Sequence, residues 1–161
     1  MRRRILLGAA VTLSGCGFAF KRAPELSFKT IQLAGFPARS PLAAELRSQL
    51  EASPTTHVVE SASEAQVVLQ ALSEAREKVV VAQTSASQIR EFELRLRLNF
   101  RVRSAAGRDL IAESEILQRR SLTYTENNAL AKEQEEAFLY RAMQSDIVSQ
   151  VLRRLASVRL V

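Results

Sequence analysis

The clearest pattern in the chain runs from Glu91 to Arg103. Phe92, Leu94, Leu96, Leu98, Phe100 and Val102 hold every second position, and charged or amide side chains hold the positions between them. A strict period of two means a strand with one dry face and one wet face, because successive strand side chains point to opposite sides of a sheet. Ala106-Gly107-Arg108-Asp109 is turn chemistry, and the alternation Leu110, Ala112, Ser114, Ile116 after it predicts a further strand running to Tyr124. Phe28–Leu33 alternates as well and predicts a first strand, closed by Gly35 and Pro37. Val67–Val81 has β-branched ends and a polar middle. It is expected to be a strand, bent or bulged, with a helix over Glu64–Lys78 as the alternative. Gln83–Gln88 is expected to be the hairpin turn.

Two helices are expected. Ser40-Pro41 is a start signal, because serine can cap free amides and proline suits the first helical position. Leu42, Leu46 and Leu50 then recur every four residues up to about Ala52. The second helix starts at a cap on Asn127 or Asn128. Leu139, Met143, Ile147, Val151, Leu155 and Val158 form its apolar stripe. Acidic Glu133, Glu135 and Glu136 stand near its start and Arg153 and Arg154 near its end, which suits the helix dipole. The order β, α, β, β, β, α predicts an α+β two-layer sandwich. Both helices lie on one face of a four-stranded, mixed but mostly antiparallel sheet, and the other face is open.

The first sixteen residues read differently. Arg2, Arg3 and Arg4 precede the apolar run Ile5–Leu13, and Leu13-Ser14-Gly15-Cys16 closes it. That order matches a bacterial lipobox, so residues 1–15 are expected to be a cleaved signal peptide. Cys16, the single cysteine, is then expected to carry the covalent lipid, S-diacylglycerol on sulfur and an acyl chain on nitrogen. Residues 16–27 form a tether and 28–161 one domain. No aspartate follows Cys16, so the periplasmic side of the outer membrane is the expected destination, by resemblance to sorted lipoproteins. The arginine run leaves both general and twin-arginine export open.

The signal changes the charge picture too. The chain has 23 basic and 17 acidic residues; without Arg2, Arg3 and Arg4 the balance is 20 to 17. The placement of charge therefore matters more than its total. Arg95, Arg97, Arg101 and Arg103 line the wet face of the long strand, Arg119 and Arg120 lie on the next, and Lys132 begins the last helix. Such a stripe reads either as solvation of an exposed strand face or as a surface for an anionic partner. At an outer membrane that partner would be the phosphates of lipopolysaccharide, which arginine can grip with two parallel hydrogen bonds. His57 sits in a polar stretch and reads as a surface residue. No metal-spaced Cys/His cluster, P-loop, dinucleotide glycine motif or Gly-x-Ser-x-Gly elbow occurs. No enzyme, cofactor, metal site or nucleic-acid partner is expected.

Cys16-Gly17-Phe18 with the basic pair Lys21-Arg22 resembles the mature start of the LptE family. The resemblance continues through Ser40-Pro41-Leu42, Arg47-Ser48-Gln49-Leu50 and Arg90-Glu91-Phe92-Glu93-Leu94. It is most specific at Ala129-Leu130-Ala131-Lys132-Glu133 and Val151-Leu152-Arg153-Arg154-Leu155. It implies an outer-membrane lipoprotein that plugs the LptD β-barrel, is needed for that barrel to assemble, and binds lipopolysaccharide for insertion in the outer leaflet. It also implies that Lys132 matches a family lysine that contacts lipopolysaccharide. The turn Gln83–Gln88 lacks the family's second basic residue. Arg90 is the nearest, and Arg119 and Arg120 are the substitutes expected here. The alternative is a generic outer-membrane lipoprotein adaptor, such as a pilotin for another envelope channel.

Overall fold

The computed structural model describes residues 26–125 and 128–160. The expected signal peptide, Cys16, most of the tether and Asn127 lie outside them. In chain order the elements are β1 (Thr30–Ala34), α1 (Pro41–Glu51), β2 (His57–Val59), β3 (Val67–Gln83), β4 (Ile89–Ser104), β5 (Asp109–Thr123) and α2 (Ala129–Ser157).

The strands form one sheet in the order β2-β1-β3-β4-β5. β1 is parallel to β2 and β3, while β3, β4 and β5 form an antiparallel meander. The sheet is mixed and mostly antiparallel, as expected, but it has five strands rather than four. The extra strand, β2, is three residues long, too short for a period of two to stand out. His57 stays exposed in it, and its backbone N–H donates to Lys29 O at 2.8 Å.

Val67–Gln83 is a strand throughout, and the helical alternative is overturned. Its register against β4 slips between Ala71 and Ser73, the signature of a bulge at Leu72. The slip moves the alternation by one residue. Val67, Leu69 and Ala71 are buried before it; after it Glu74, Arg76 and Lys78 stand opposite Leu98, Leu96 and Leu94, on the face the helices cover. The polar middle that suggested a helix is therefore strand with its phase shifted.

The core follows the two expected stripes. Leu42, Leu46 and Leu50 of α1 and Met143, Ile147, Val151 and Leu155 of α2 are all buried in one core with the alternating residues Leu94–Val102 of β4. Each such side chain contributes about 1.5–3 kcal/mol. Ser40 caps α1, accepting from Ala43 N at 3.0 Å, while its hydroxyl donates to Glu74 Oε2 at 2.6 Å. Asn128 holds the cap position of α2 without a side-chain hydrogen bond, and the acidic residues lie past its first turn. Gly35, which follows β1, has φ +76°, and a Cβ there would meet Ala71 O at 2.2 Å, so only glycine fits.

Candidate functional site

α1 has 11 residues and α2 has 29. Gln144 Nε2 donates to Pro41 O at 3.2 Å and to Glu45 Oε2 at 2.6 Å, which sets the start of α1 level with the middle of α2. The first half of α2 therefore crosses the outer half of the meander alone, and there the bulge in β3 has turned charged residues toward it.

Glu136 of α2 organises this region. Its carboxylate accepts from Lys78 Nζ at 2.6 Å and lies 3.8 Å from the Arg76 guanidinium. Arg76 also stacks 3.5 Å above the Tyr140 ring, and Lys78 lies 4.2 Å above the Phe92 ring. Such contacts hold cations on aromatic faces without cancelling their charge. Tyr140 is fixed from beneath by its hydroxyl, which donates to Glu77 O at 2.6 Å. Burial raises the pKa of that hydroxyl above the usual phenol value, and the hydrogen bond and charge of Arg76 oppose the rise. One turn earlier, Lys132 bonds Glu135 at 2.7 Å. Arg76 and Lys78 share the single carboxylate of Glu136, so that group of three carries one net positive charge. Val80, two residues on from Lys78 in β3, is 38% exposed, and Leu130 and Phe138 of the same half of α2 are 71% and 62% exposed on its outer side. Cations with exposed apolar groups in the same half of the domain suit an amphiphilic anion.

The residues expected from sequence do not all converge here. Lys132 lies within the cluster. Arg90, exposed, is the second residue of β4 at the hairpin end, and its carbonyl accepts from Tyr124 N at 2.8 Å. Arg120 stands opposite Leu94, on the helix side, and bonds Asp146 of α2 at 2.7 Å. Arg119 stands opposite Arg95 on the open face, so the two neighbouring arginines point to opposite sides. The open-face stripe is also largely neutralised. Arg95 pairs with Glu93 and Glu77, Arg97 with Glu115 and Arg103 with Asp109, while Arg101 bonds Gln70. Most of that stripe is solvated, self-compensated strand surface. Arg101 and Arg119 differ: among the described residues neither has a carboxylate within 4.0 Å, and Arg101 is held by the Gln70 amide.

Sequence reasoning missed Arg76 and Lys78. Their signal was there, two cations spaced by two before Val79-Val80-Val81, but the bulge concealed which face they take. At the opposite end of the domain Ser27 Oγ donates to Val158 O at 2.7 Å, and a shallow cavity of about 440 Å³ lies among Gln66, Ala105, Arg108 and Leu160. Among the described residues no group of His, Cys, Asp or Glu could hold a metal ion, and no helix is long and apolar enough to cross a membrane.

Two helices on one face of a mixed sheet form a fold that recurs among solved structures of small lipoproteins. The solution structure of an uncharacterized lipoprotein B from Nitrosomonas europaea is similar with a TM-score of 0.74 and 28% identity, covering 94% of this chain and 92% of that one. The rare lipoprotein B from Shewanella oneidensis has a TM-score of 0.67 and 21% identity, over 80% of this chain and 95% of that one. A minor lipoprotein from Acinetobacter baumannii has 0.64 and 19%, over 83% and 94%. These last two share the fold. No curated protein matches the chain. The model of the LptE family, described as lipopolysaccharide-assembly, matches residues 28–155, and the chain belongs to that family. The resemblance expected from Ser40-Pro41-Leu42 and the Lys132 segment is thereby shown.

Proposed function

We propose that this protein is an outer-membrane lipoprotein, anchored through acylated Cys16, that plugs the LptD barrel, is required for its assembly, and binds lipopolysaccharide at the Arg76–Lys78–Lys132 end. The observation that carries the reading is the family match over residues 28–155. The geometry supports it further. The described chain begins against Val158, at the far end of α2 from Lys132. At 1.5 Å per helical residue the two ends are about 40 Å apart. That is close to the roughly 40–45 Å of a bilayer with its headgroups. An anchor on the periplasmic side thus lets the cationic end reach the depth of the outer leaflet inside a barrel.

The mechanism follows from charge and packing. A barrel interior is polar, so the open face, covered in compensated ion pairs, can sit against it without burying naked charge. Arg76, Lys78 and Lys132 take over lipid A phosphates from the divalent cations that bridge neighbouring molecules, which loosens lipopolysaccharide aggregates. Arg90 and Arg120 extend the helix-side charge, and Arg119 meets whatever lies against the open face. Affinity purification from detergent-extracted membranes tests the reading: LptD should co-purify with the wild-type chain. Recovery of a secretin instead would replace this reading with the pilotin one. Cys16→Ala should abolish incorporation of labelled palmitate, and retained label would refute the anchor.

A further inference from the structure

The two edges of the sheet are unlike. β2 closes one with 3 residues, whereas β5 closes the other with 15. A long edge offers its backbone N–H and C=O groups to another strand. The start of β5 is blunted, because its register against β4 is irregular between Ile111 and Ser114. From Ser114 to Thr123 the register is unbroken. The long helix packs on one face of this run and of β4, whereas the outward N–H and C=O groups of an edge strand lie in the plane of the sheet. Tyr140 reaches β3 at Glu77, Arg154 lies 5.6 Å above Phe100 of β4, and Asp146 meets Arg120 of β5. α2 therefore lies above the sheet face over β4 and β5, and not in the plane of the β5 edge.

The charges along this run are arranged in a particular way. Arg119 faces Arg95 across the ladder, and like charges placed opposite each other are destabilising. Glu115 lies on the same open face and, among the described residues, is engaged only by Arg97, at 3.5 Å. Glu115 and Arg119 flank Leu117 symmetrically. Two edge strands related by a twofold axis normal to the sheet pair antiparallel and keep their faces aligned. With the axis at Leu117, each Glu115 meets Arg119 of the second copy, twice over, and Leu117 meets Leu117. With the axis at Gln118 both pairs are lost. At Arg119 the arginine meets itself. At Ile116 its counterpart is Glu113, inside the irregular part of β5.

We infer that the β5 edge is a self-complementary pairing surface: in the free protein two copies join antiparallel through Ser114–Arg120, locked by reciprocal Glu115–Arg119 ion pairs about Leu117. The pairing is independent of lipopolysaccharide binding and of any barrel. It gives Arg119 the carboxylate it lacks among the described residues of its own chain.

The test uses the full chain purified in detergent micelles. Leu117→Cys should give covalent dimers with a short thiol cross-linker, well above the level of the wild-type chain, whose one cysteine is Cys16. Ser121→Cys, which would face Glu113, should stay at the wild-type level. In sedimentation, Glu115→Arg or Arg119→Glu alone should weaken dimerisation about tenfold, since each breaks two cross-strand pairs. The two together should restore it. A monomer at all concentrations, wild-type cross-linking by Leu117→Cys, or no restoration by the double exchange would each overturn the inference.

Discussion

β3 meets the helical layer in two ways. Where α1 and α2 both cover the sheet, β3 turns Val67, Leu69 and Ala71 inward and each is buried. Beyond Leu72, where α2 lies alone, the same face carries Glu74, Arg76 and Lys78, paired with Ser40 and Glu136 or left half exposed. The change takes one inserted residue. A bulge keeps the hydrogen-bonded ladder and reverses which side chains face the helices. One half of the domain thereby holds the fold together, and the other half keeps charge near a surface where a ligand can reach it. The long alternating run of β4 passes through both halves without a break, so the difference belongs to β3 and to the unequal lengths of the helices.

Mutations should break this contrast in a definite order. The largest effect is expected from deleting Leu72 and Ser73 together. Removing Leu72 alone leaves Glu74, Arg76 and Lys78 on the helix face, whereas removing both reverses the phase of the strand beyond, aims Glu77 at the helix layer in place of Arg76, and buries a carboxylate beside Glu136. The domain should lose its cooperative thermal transition; a melting curve close to wild type would show that the fold does not depend on the phase of β3. Next comes Leu98→Ala in the dry half, which should cost about 2–5 kcal/mol in denaturant unfolding, as for other fully buried leucines. Arg76→Ala, 58% exposed, should cost no more than about 1 kcal/mol. Equal losses at the two positions would erase the distinction between the halves. Of similar size is Tyr140→Phe, which removes the bond to Glu77 O and should cost about 1 kcal/mol. It leaves the aromatic face for Arg76, so ligand binding should hold.

What the sequence made legible follows the same division. Leu42, Leu46 and Leu50, the alternation of β4 and the α2 stripe from Met143 to Leu155 were readable because burial imposes a strict period on apolar residues, and all are in the core. β2 was not readable, since three residues carry no period and its pairing to β1 is long-range. The reading of the wet face as one arginine surface was too simple for two reasons. Arg119 and Arg120 alternate across the sheet, and the carboxylates that neutralise Arg97 and Arg103 come from β5. The cationic end was half visible. Lys132 stood out by its motif, whereas Arg76 and Lys78 depend on the bulge, which leaves no mark in the hydropathy pattern.

The central claim is that the outer, α1-free half binds lipopolysaccharide while the rest of the domain holds the barrel complex. The most direct measurement is a lipopolysaccharide pull-down with the Arg76→Gln, Lys132→Glu double variant, purified with its co-purifying barrel. The account predicts that LptD is recovered at the wild-type level and that lipopolysaccharide affinity falls about tenfold or more, the loss expected for two charge-assisted contacts. Lipopolysaccharide binding at wild-type strength in a complex with normal LptD content would contradict it.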